Sequence, residues 1–213
     1  NTLTNSTIMP KVWLLDYGAG NVRSLRNALA ALGFEVVDIT SPAQIADAGV
    51  LVFPGVGSFG ACMATLAKKG YTDALRAYVR ADRPFLGICL GLQTLFEGSE
   101  ESPGVKGLGL LPGIVGRFSG VGGRSVPQIG WNEVQFTKPD CPIIQGIESG
   151  SHFYFVHSYY PQPKDESIVA TRTEYGVDFV SAVWRDNVFA TQFHPEKSQK
   201  VGLQLLTNFV NLI

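Results

Sequence analysis

The chain has 213 residues, of which 45% are hydrophobic and 16% charged, and its formal net charge is −1 at pH 7. This composition is typical of a globular protein with a sizeable core and excludes a disordered chain. The near-zero charge argues against a nucleic-acid partner, and no apolar run approaches the roughly 20 residues that span a bilayer.

Residues 1–9 lack the apolar core of a signal peptide, and Met9-Pro10 looks like a natural start. We therefore expect 1–9 to be a tail and 10–213 to form a single domain. The three cysteines, Cys62, Cys89 and Cys141, are too few and too scattered for a disulfide framework. A reducing compartment, the cytoplasm, is the expected location.

Strand and helix signals alternate through the first half of the chain. The apolar patterns predict strands at 12–15, 34–39, 50–53 and 84–88. Helices are predicted at 22–32, 42–48, 59–68 and 71–81, with a turn at Gly18–Asn21 after the first strand. Strands that alternate with helices at these intervals indicate a doubly wound, mostly parallel sheet with flanking helices.

From about Gly104 onward, glycine and proline separate short apolar runs that are typical of antiparallel strands and hairpins. These runs are 108–114, 126–136, 152–159, 168–174, 179–184 and 188–193, and a closing helix is predicted from about Ser198. The predicted fold class is therefore α/β, with antiparallel strands in the second half.

The most informative segment is Gly87-Ile88-Cys89-Leu90-Gly91, which follows an apolar strand and precedes helix-forming residues. This pattern predicts a nucleophile elbow, a sharp strand-to-helix turn that presents one side chain above the sheet. A helix N-terminus also favours the thiolate, the reactive form of cysteine. A buried core cysteine between two loop glycines is the alternative.

A nucleophilic cysteine needs a base, and the chain has only three histidines. His194 precedes Pro195, which disfavours helix at His194, and Glu196 lies two residues further on, where it could orient the ring. His157, on a predicted strand, is the competing base, but it lacks a nearby acidic residue and is interpreted as structural. His152 is interpreted as a loop residue. No two histidines or cysteines have a usual metal-ligand spacing, so we expect no metal.

Acyl transfer also needs hydrogen-bond donors for a developing oxyanion. The backbone N–H of Leu90 is one candidate. Pro54-Gly55-Val56-Gly57 leaves the sheet at the same carboxyl edge and could supply a second, although this segment alone also fits an ordinary strand-to-helix turn.

Two motifs, Gly-Ile-Cys-Leu-Gly-Leu-Gln from Gly87 and Gln-Phe-His-Pro-Glu-Lys-Ser from Gln192, resemble those of the class I (triad) glutamine amidotransferases. The flavodoxin-like fold of that family agrees with the predicted sheet. Five further segments make the chain similar to one group within it, the glutaminase subunits of imidazole glycerol phosphate synthases from histidine biosynthesis: Asp16–Asn21, Phe53–Gly57, Val105–Gly109, Gly130–Glu133 and Tyr154–Tyr159.

The resemblance implies a role for each matching residue. Cys89 would be the nucleophile, His194 the base and acid, and Glu196 its orienting partner. Val56, Gly57 and Leu90 would form the oxyanion hole, with a peptide flip near Val56 on activation. Glutamine would be bound by Gly57, Gln93, Glu101, Ser158 and Tyr159, and the interface candidates are Trp131, Asn132 and Lys197.

The resemblance also implies glutamine as substrate, a mechanism without a cofactor, and a (βα)₈-barrel cyclase, separate or fused, as the partner that receives the ammonia. A plastid location is then possible for a plant-type protein. Three alternatives stay open: a sibling amidotransferase of anthranilate, purine or pyridoxal phosphate synthesis, a cysteine hydrolase of similar fold, and a degenerate regulatory module. The complete Cys-His-Glu set argues against the last.

Overall fold

The computed structural model describes residues 8–18 and 22–212. Most of the predicted tail and part of the predicted turn Gly18–Asn21 therefore lie outside the described residues. The first half alternates strands and helices in the predicted order: β1 (Lys11–Leu15), α1 (Arg23–Ala31), β2 (Glu35–Ile39), α2 (Pro42–Asp47), β3 (Leu51–Gly55), α3 (Phe59–Lys68), α4 (Tyr71–Arg80), β4 (Phe85–Cys89) and α5 (Leu90–Gln93).

Local sequence explains several of these boundaries. Ser41 begins α2 with a capping box, and Pro42 occupies the first helical position, where its missing N–H costs nothing. Ser58 begins α3, because its Oγ accepts a hydrogen bond from the backbone N–H of Ala61.

The second half consists mainly of strands and ends in a long helix. Its elements are β5 (Gly113–Arg117), β6 (Gln128–Glu133), β7 (Gln135–Phe136), β8 (His152–His157), β9 (Tyr159–Pro163), β10 (Val169–Glu174), β11 (Asp178–Arg185), β12 (Val188–Thr191) and α6 (Gln199–Val210). Short 3₁₀ turns lie at Pro142–Ile144, Glu166–Ile168 and Pro195–Lys197.

The main sheet has eight strands in the order β2-β1-β3-β4-β12-β11-β10-β7. Strands β2, β1, β3, β4 and β12 run parallel, whereas β11, β10 and β7 continue the sheet in antiparallel pairs. Two further antiparallel pairs, β5-β9 and β6-β8, stand outside it. The predicted α/β class, with its mostly parallel sheet and antiparallel second half, is confirmed.

The core lies on both faces of the main sheet. Side chains of successive strand residues point to opposite faces, so Phe85 joins one apolar cluster and Leu86 the other. Helices α3 and α4 cover the first face through residues such as Leu66 and Leu75. Helices α1 and α6 cover the second face, and no described helix is long and apolar enough to cross a membrane.

The predicted strand at 108–114 is wrong over most of its length. Leu108, Leu110 and Leu111 are buried, but their N–H groups donate to the carbonyls of Thr94 and Leu95 instead of to a neighbouring strand. These apolar side chains pack a loop onto the segment after α5, and a short apolar run does not distinguish this arrangement from a strand.

The predicted runs at 152–159 and 188–193 also need correction. The first divides at Ser158 into β8 and β9, and the second leaves the sheet after Thr191. Residues 192–194 thus extend beyond the carboxyl edge of the sheet, where Gly55 pairs with Cys89 and Thr191 with Ile88. Three sheet segments with candidate site residues therefore end side by side.

Candidate active site

Cys89 lies at the sharp turn between β4 and α5, with φ 56° and ψ −108°. A non-glycine residue rarely adopts a positive φ, and such strain is typical of functional positions. A Cβ on Gly87 would lie 2.8 Å from the Gly91 carbonyl, and a Cβ on Gly91 would overlap the Phe53 carbonyl oxygen. Both glycines are needed because the turn brings backbone segments into direct contact.

His194 and Glu196 form a buried hydrogen-bonded pair. His194 Nδ1 lies 2.7 Å from Glu196 Oε1, and the two side chains are 3% and 5% exposed. The backbone at His194 is extended, as expected before Pro195. Ser198 Oγ donates to the His194 carbonyl and accepts from the Tyr154 N–H, which ties this segment to β8.

The charge on the His194 ring depends on its neighbours. Burial alone would lower its pKa, but the adjacent Cys89 sulfur and the Glu196 carboxylate favour the charged ring and raise the pKa to about 10. Neither His194 Nε2 nor Glu196 Oε2 has a hydrogen-bond partner among the described residues, although both atoms are buried. Nε2 is thus the ring atom left for proton transfer.

A cavity of about 210 Å³ opens in front of the cysteine. It contains the residues to which the sequence assigns oxyanion and glutamine contacts, together with two from β8: Val56, Gly57, Cys89, Leu90, Gln93, Glu101, Val156, His157, Ser158 and Tyr159. The structure therefore brings together residues that are as far as 103 positions apart in the chain (56 to 159).

The neighbours of two polar side chains on the cavity wall, Glu101 and Gln93, determine what each can offer a ligand. Burial raises the pKa of the Glu101 carboxyl, although a hydrogen bond from the Phe59 N–H opposes this shift. Gln93 Nε2 donates to the Tyr159 carbonyl at 3.1 Å and to Gln192 Oε1 at 3.2 Å. Both amide hydrogens of Gln93 are thereby engaged, so its oxygen is the atom left for a ligand that donates a hydrogen bond.

His157 also reaches the cavity, but both of its ring nitrogens are occupied. Nδ1 lies 2.7 Å from the Tyr159 carbonyl, and Nε2 lies 2.8 Å from Gln128 Oε1. Burial lowers the pKa of His157 to about 4, so the ring is neutral and its single N–H serves one of these two oxygens. This environment favours the structural interpretation of His157.

The interface candidates lie near one another, around a residue that the sequence analysis did not select. Tyr154 packs edge-on against the half-exposed Trp131, with 6.0 Å between ring centroids, and Lys197 Nζ lies 5.9 Å from the Tyr154 ring centroid. Asn132 accepts a hydrogen bond from Gln128. Ile129, 63% exposed, extends the apolar surface along β6.

Sequence analysis also missed Gln192, which is fully buried behind the cysteine. Its Nε2 lies 3.6 Å from Cys89 Sγ. The available signal was its place in the sequence, as the first residue of the motif that contains His194 and Glu196.

The family model "Glutamine amidotransferase class-I" matches residues 13–212. The chain belongs to this family. Within it, the chain is 49% identical over 201 residues to "Imidazole glycerol phosphate synthase subunit HisH" of Syntrophotalea carbinolica, a match that covers 92% of this chain and 97% of that protein. The HisH subunit of Methanocaldococcus jannaschii is 46% identical, with 95% and 100% covered.

A longer relative contains this amidotransferase region as a part. "Imidazole glycerol phosphate synthase hisHF, chloroplastic" of Arabidopsis thaliana is 52% identical over 209 residues, which are 97% of this chain but 35% of that protein. The chain therefore spans about a third of the plant relative's length.

Solved amidotransferase structures agree with the fold. A crystal structure of a glutamine amidotransferase has a TM-score of 0.74 at 22% identity, with 94% of this chain and 97% of that chain covered. The structure of PurLQS from Thermotoga maritima has a TM-score of 0.76 at 21% identity, with 96% and 99% covered. At these identities the likeness concerns the fold alone.

Proposed function

We propose that this chain, as one domain over 10–213, hydrolyses glutamine to glutamate and ammonia as the glutaminase of an imidazole glycerol phosphate synthase. The ammonia passes to a (βα)₈-barrel cyclase, a separate subunit or a fused domain, which makes imidazole glycerol phosphate and AICAR from PRFAR. One observation carries the proposal: a single cavity holds the strained cysteine, the half-buried Glu101 carboxylate and the two backbone segments expected at an oxyanion, beside a buried His-Glu pair.

In the acylation step, the Cys89 thiolate attacks the carbon of the glutamine side-chain amide. The N–H of Leu90 and an N–H from Val56 or Gly57 receive the developing oxyanion. His194, whose pKa of about 10 keeps the ring protonated at neutral pH, gives its Nε2 proton to the departing nitrogen. The C–N bond breaks, ammonia leaves, and a thioester remains on Cys89.

In the deacylation step, the now neutral His194 takes a proton from water, and the resulting hydroxide attacks the thioester. The C–S bond breaks, the new side-chain carboxyl group gives its proton to solvent, glutamate leaves, and the pair returns to thiolate and protonated ring. Glu196 accepts the Nδ1–H throughout, so the exchanging proton stays on Nε2.

The cavity wall has groups suited to the two ends of glutamine. Glu101 offers a carboxylate to the α-ammonium group. Gln93 offers only its side-chain oxygen, because its nitrogen is already engaged twice. Ser158 and Tyr159 also line the cavity, and the Tyr159 carbonyl holds the Gln93 amide.

We assign the cyclase contact to the patch formed by Ile129, Trp131, Tyr154 and Lys197. Exposed apolar side chains that are this close mark interaction sites, and aromatic residues supply much of the binding energy at such contacts. Lys197 directly follows Glu196, so a partner that holds this lysine would act one residue away from the triad. Asn132 follows Trp131 on β6, but its side chain is turned toward Gln128.

A protein with these catalytic and structural cysteines functions in a reducing compartment. We propose the cytoplasm, or a plastid stroma for a plant-type protein, since the Arabidopsis relative is named as chloroplastic.

The test is ammonia and glutamate release from glutamine by the chain alone and with the cyclase plus its ribonucleotide ligand. Cys89→Ala should abolish release. Cys141→Ala is the matched control, because Cys141 is a buried cysteine that does not line the cavity and should leave release intact. Release that survives Cys89→Ala would contradict the nucleophile, and no release by the folded complex would contradict the function.

A further inference from the structure

Gln192 is placed to act on the nucleophile without touching the substrate cavity. It is fully buried, follows the end of β12 and does not line the cavity. Its Nε2 donates to Cys89 Sγ at 3.6 Å, and its backbone N–H is bound to the Ser181 carbonyl at 2.8 Å. The side chain therefore reaches the sulfur from an anchored backbone.

The orientation of the Gln192 amide follows from one backbone oxygen. The Tyr159 carbonyl can only accept hydrogen bonds, so the Gln93 amide must turn its nitrogen toward it. The same nitrogen then donates to Gln192, which must present its oxygen there. The Gln192 nitrogen consequently faces Cys89, and the sulfur meets an N–H donor.

The two protonation states of Cys89 have different partners. As a thiol, Sγ can donate to the Val156 carbonyl at 3.9 Å. As a thiolate it can only accept: the Gln192 amide donates to it, and the charged His194 ring lies beside it. A hydrogen bond to an ionised acceptor is stronger than one between neutral groups, so this contact favours the thiolate.

We propose that Gln192 is a positioning residue for the nucleophile: its amide N–H holds the Cys89 sulfur as a thiolate, and Gln93 holds the Gln192 amide in that orientation. This inference rests on the proposed role of Cys89. Gln93 then has two roles. Its side-chain oxygen faces the cavity, and its nitrogen donates to Gln192, the residue that supports the cysteine.

The test is the pH dependence of Cys89 alkylation by iodoacetamide, measured by peptide mass spectrometry on the chain and on its complex with the cyclase. Iodoacetamide reacts with the thiolate, so the rate reports how readily the thiol ionises. Two variants are compared: Gln192→Met, which removes the donor at similar volume, and Gln192→Glu, which replaces it with an acceptor. Thr191→Val is the matched control, because it deletes a buried hydrogen bond to the Phe193 carbonyl on the same segment without a contact to Sγ.

We expect Gln192→Met to slow alkylation at pH 7 about tenfold and to move the profile to higher pH. Gln192→Glu should move it further, because a carboxylate beside the sulfur repels the thiolate. Glutaminase kcat of the complex should fall about tenfold in Gln192→Met while KM stays within about twofold. Thr191→Val should leave the alkylation profile unchanged.

A Gln192→Met profile that superimposes on that of the unmodified chain would overturn the inference, as would a raised KM with unchanged kcat. If Gln192→Met does not fold, the alkylation profile of the isosteric Gln192→Glu tests the inference in its place. Failure of the proposed function is separate: the complex would then release no ammonia, whereas the alkylation profiles would still decide whether Gln192 supports the thiolate.

Discussion

His194 and His157 are both almost completely buried, at 2% and 6% exposure, yet their pKa values move in opposite directions. Burial lowers the pKa of His157 to about 4, and its neutral partners, a backbone carbonyl and a glutamine, do not compensate. Burial also acts on His194, but the Cys89 sulfur and the Glu196 carboxylate raise its pKa to about 10. The charge of the partners, not the depth of burial, distinguishes the acid-base residue from the structural one.

The largest expected difference between the two sites is in catalysis. His194→Ala should lower glutaminase kcat of the cyclase complex by about 10⁴-fold, because it removes the proton donor and acceptor. His157→Gln should stay within about tenfold of the unmodified chain, because it replaces a neutral hydrogen-bonding group with another. Equal losses of kcat in the two variants would contradict the assignment of His194 as catalytic and His157 as structural.

Replacing Glu196 tests what makes the His194 site different. Glu196→Gln preserves the size of the side chain but removes its charge, so the ring loses its orienting anion. We expect kcat to fall roughly a hundredfold with little change in KM. Glu97→Gln, an exposed carboxylate paired with Lys164 away from the cavity, is the control and should leave kcat unchanged.

Without the charge of the Cys89 sulfur, the pKa values of His194 and His157 should differ less. In Cys89→Ala the pKa of His194 should fall below about 10, because one of the groups that raise it is gone. The pKa of His157 should stay low, since its burial and partners are unchanged. Ring-proton NMR titrations of both residues measure this directly, and an unmoved His194 would refute the coupling to Cys89.

The smallest effect is on stability, and it has opposite signs at the two sites. The raised pKa of His194 stabilises the fold below about pH 6.5, the unfolded value, and this contribution is lost as the pH rises through about 10. The lowered pKa of His157 contributes above about pH 6.5 and is lost as the pH falls through about 4. The free energy of unfolding in urea should therefore fall less between pH 7 and 10 in Cys89→Ala than in the unmodified chain. In His157→Gln it should fall less than in the unmodified chain as the pH is lowered from 6.5 to 4.

Local sequence predicted the parts of this molecule that depend on neighbouring residues. The elbow at Cys89 needs two glycines and a following helix, and the His194–Glu196 pair needs only a proline between its members. The alternation of strands and helices likewise predicted the parallel half of the sheet. The glutamine-site assignments of Glu101, Ser158 and Tyr159 came from the family resemblance, because no local pattern distinguishes them.

The parts that sequence did not predict depend on distant contacts. Gln192 reaches Cys89 across 103 positions, and Tyr154 gains its place in the surface patch only when β8 pairs with β6. The apolar segment at 108–111 has the pattern of a strand because burial against the loop after α5 requires the same apolar residues as burial in a sheet.

In the proposed mechanism, the cavity presents glutamine to Cys89. The most direct measurement is covalent labelling of the cyclase complex with a glutamine analogue that carries a diazoketone in place of the side-chain amide, located by peptide mass spectrometry. We predict one adduct on Cys89, suppressed by excess glutamine and strongly slowed in His194→Ala. An adduct on Cys62 or Cys141 instead, or labelling of Cys89 that glutamine does not suppress, would contradict the account.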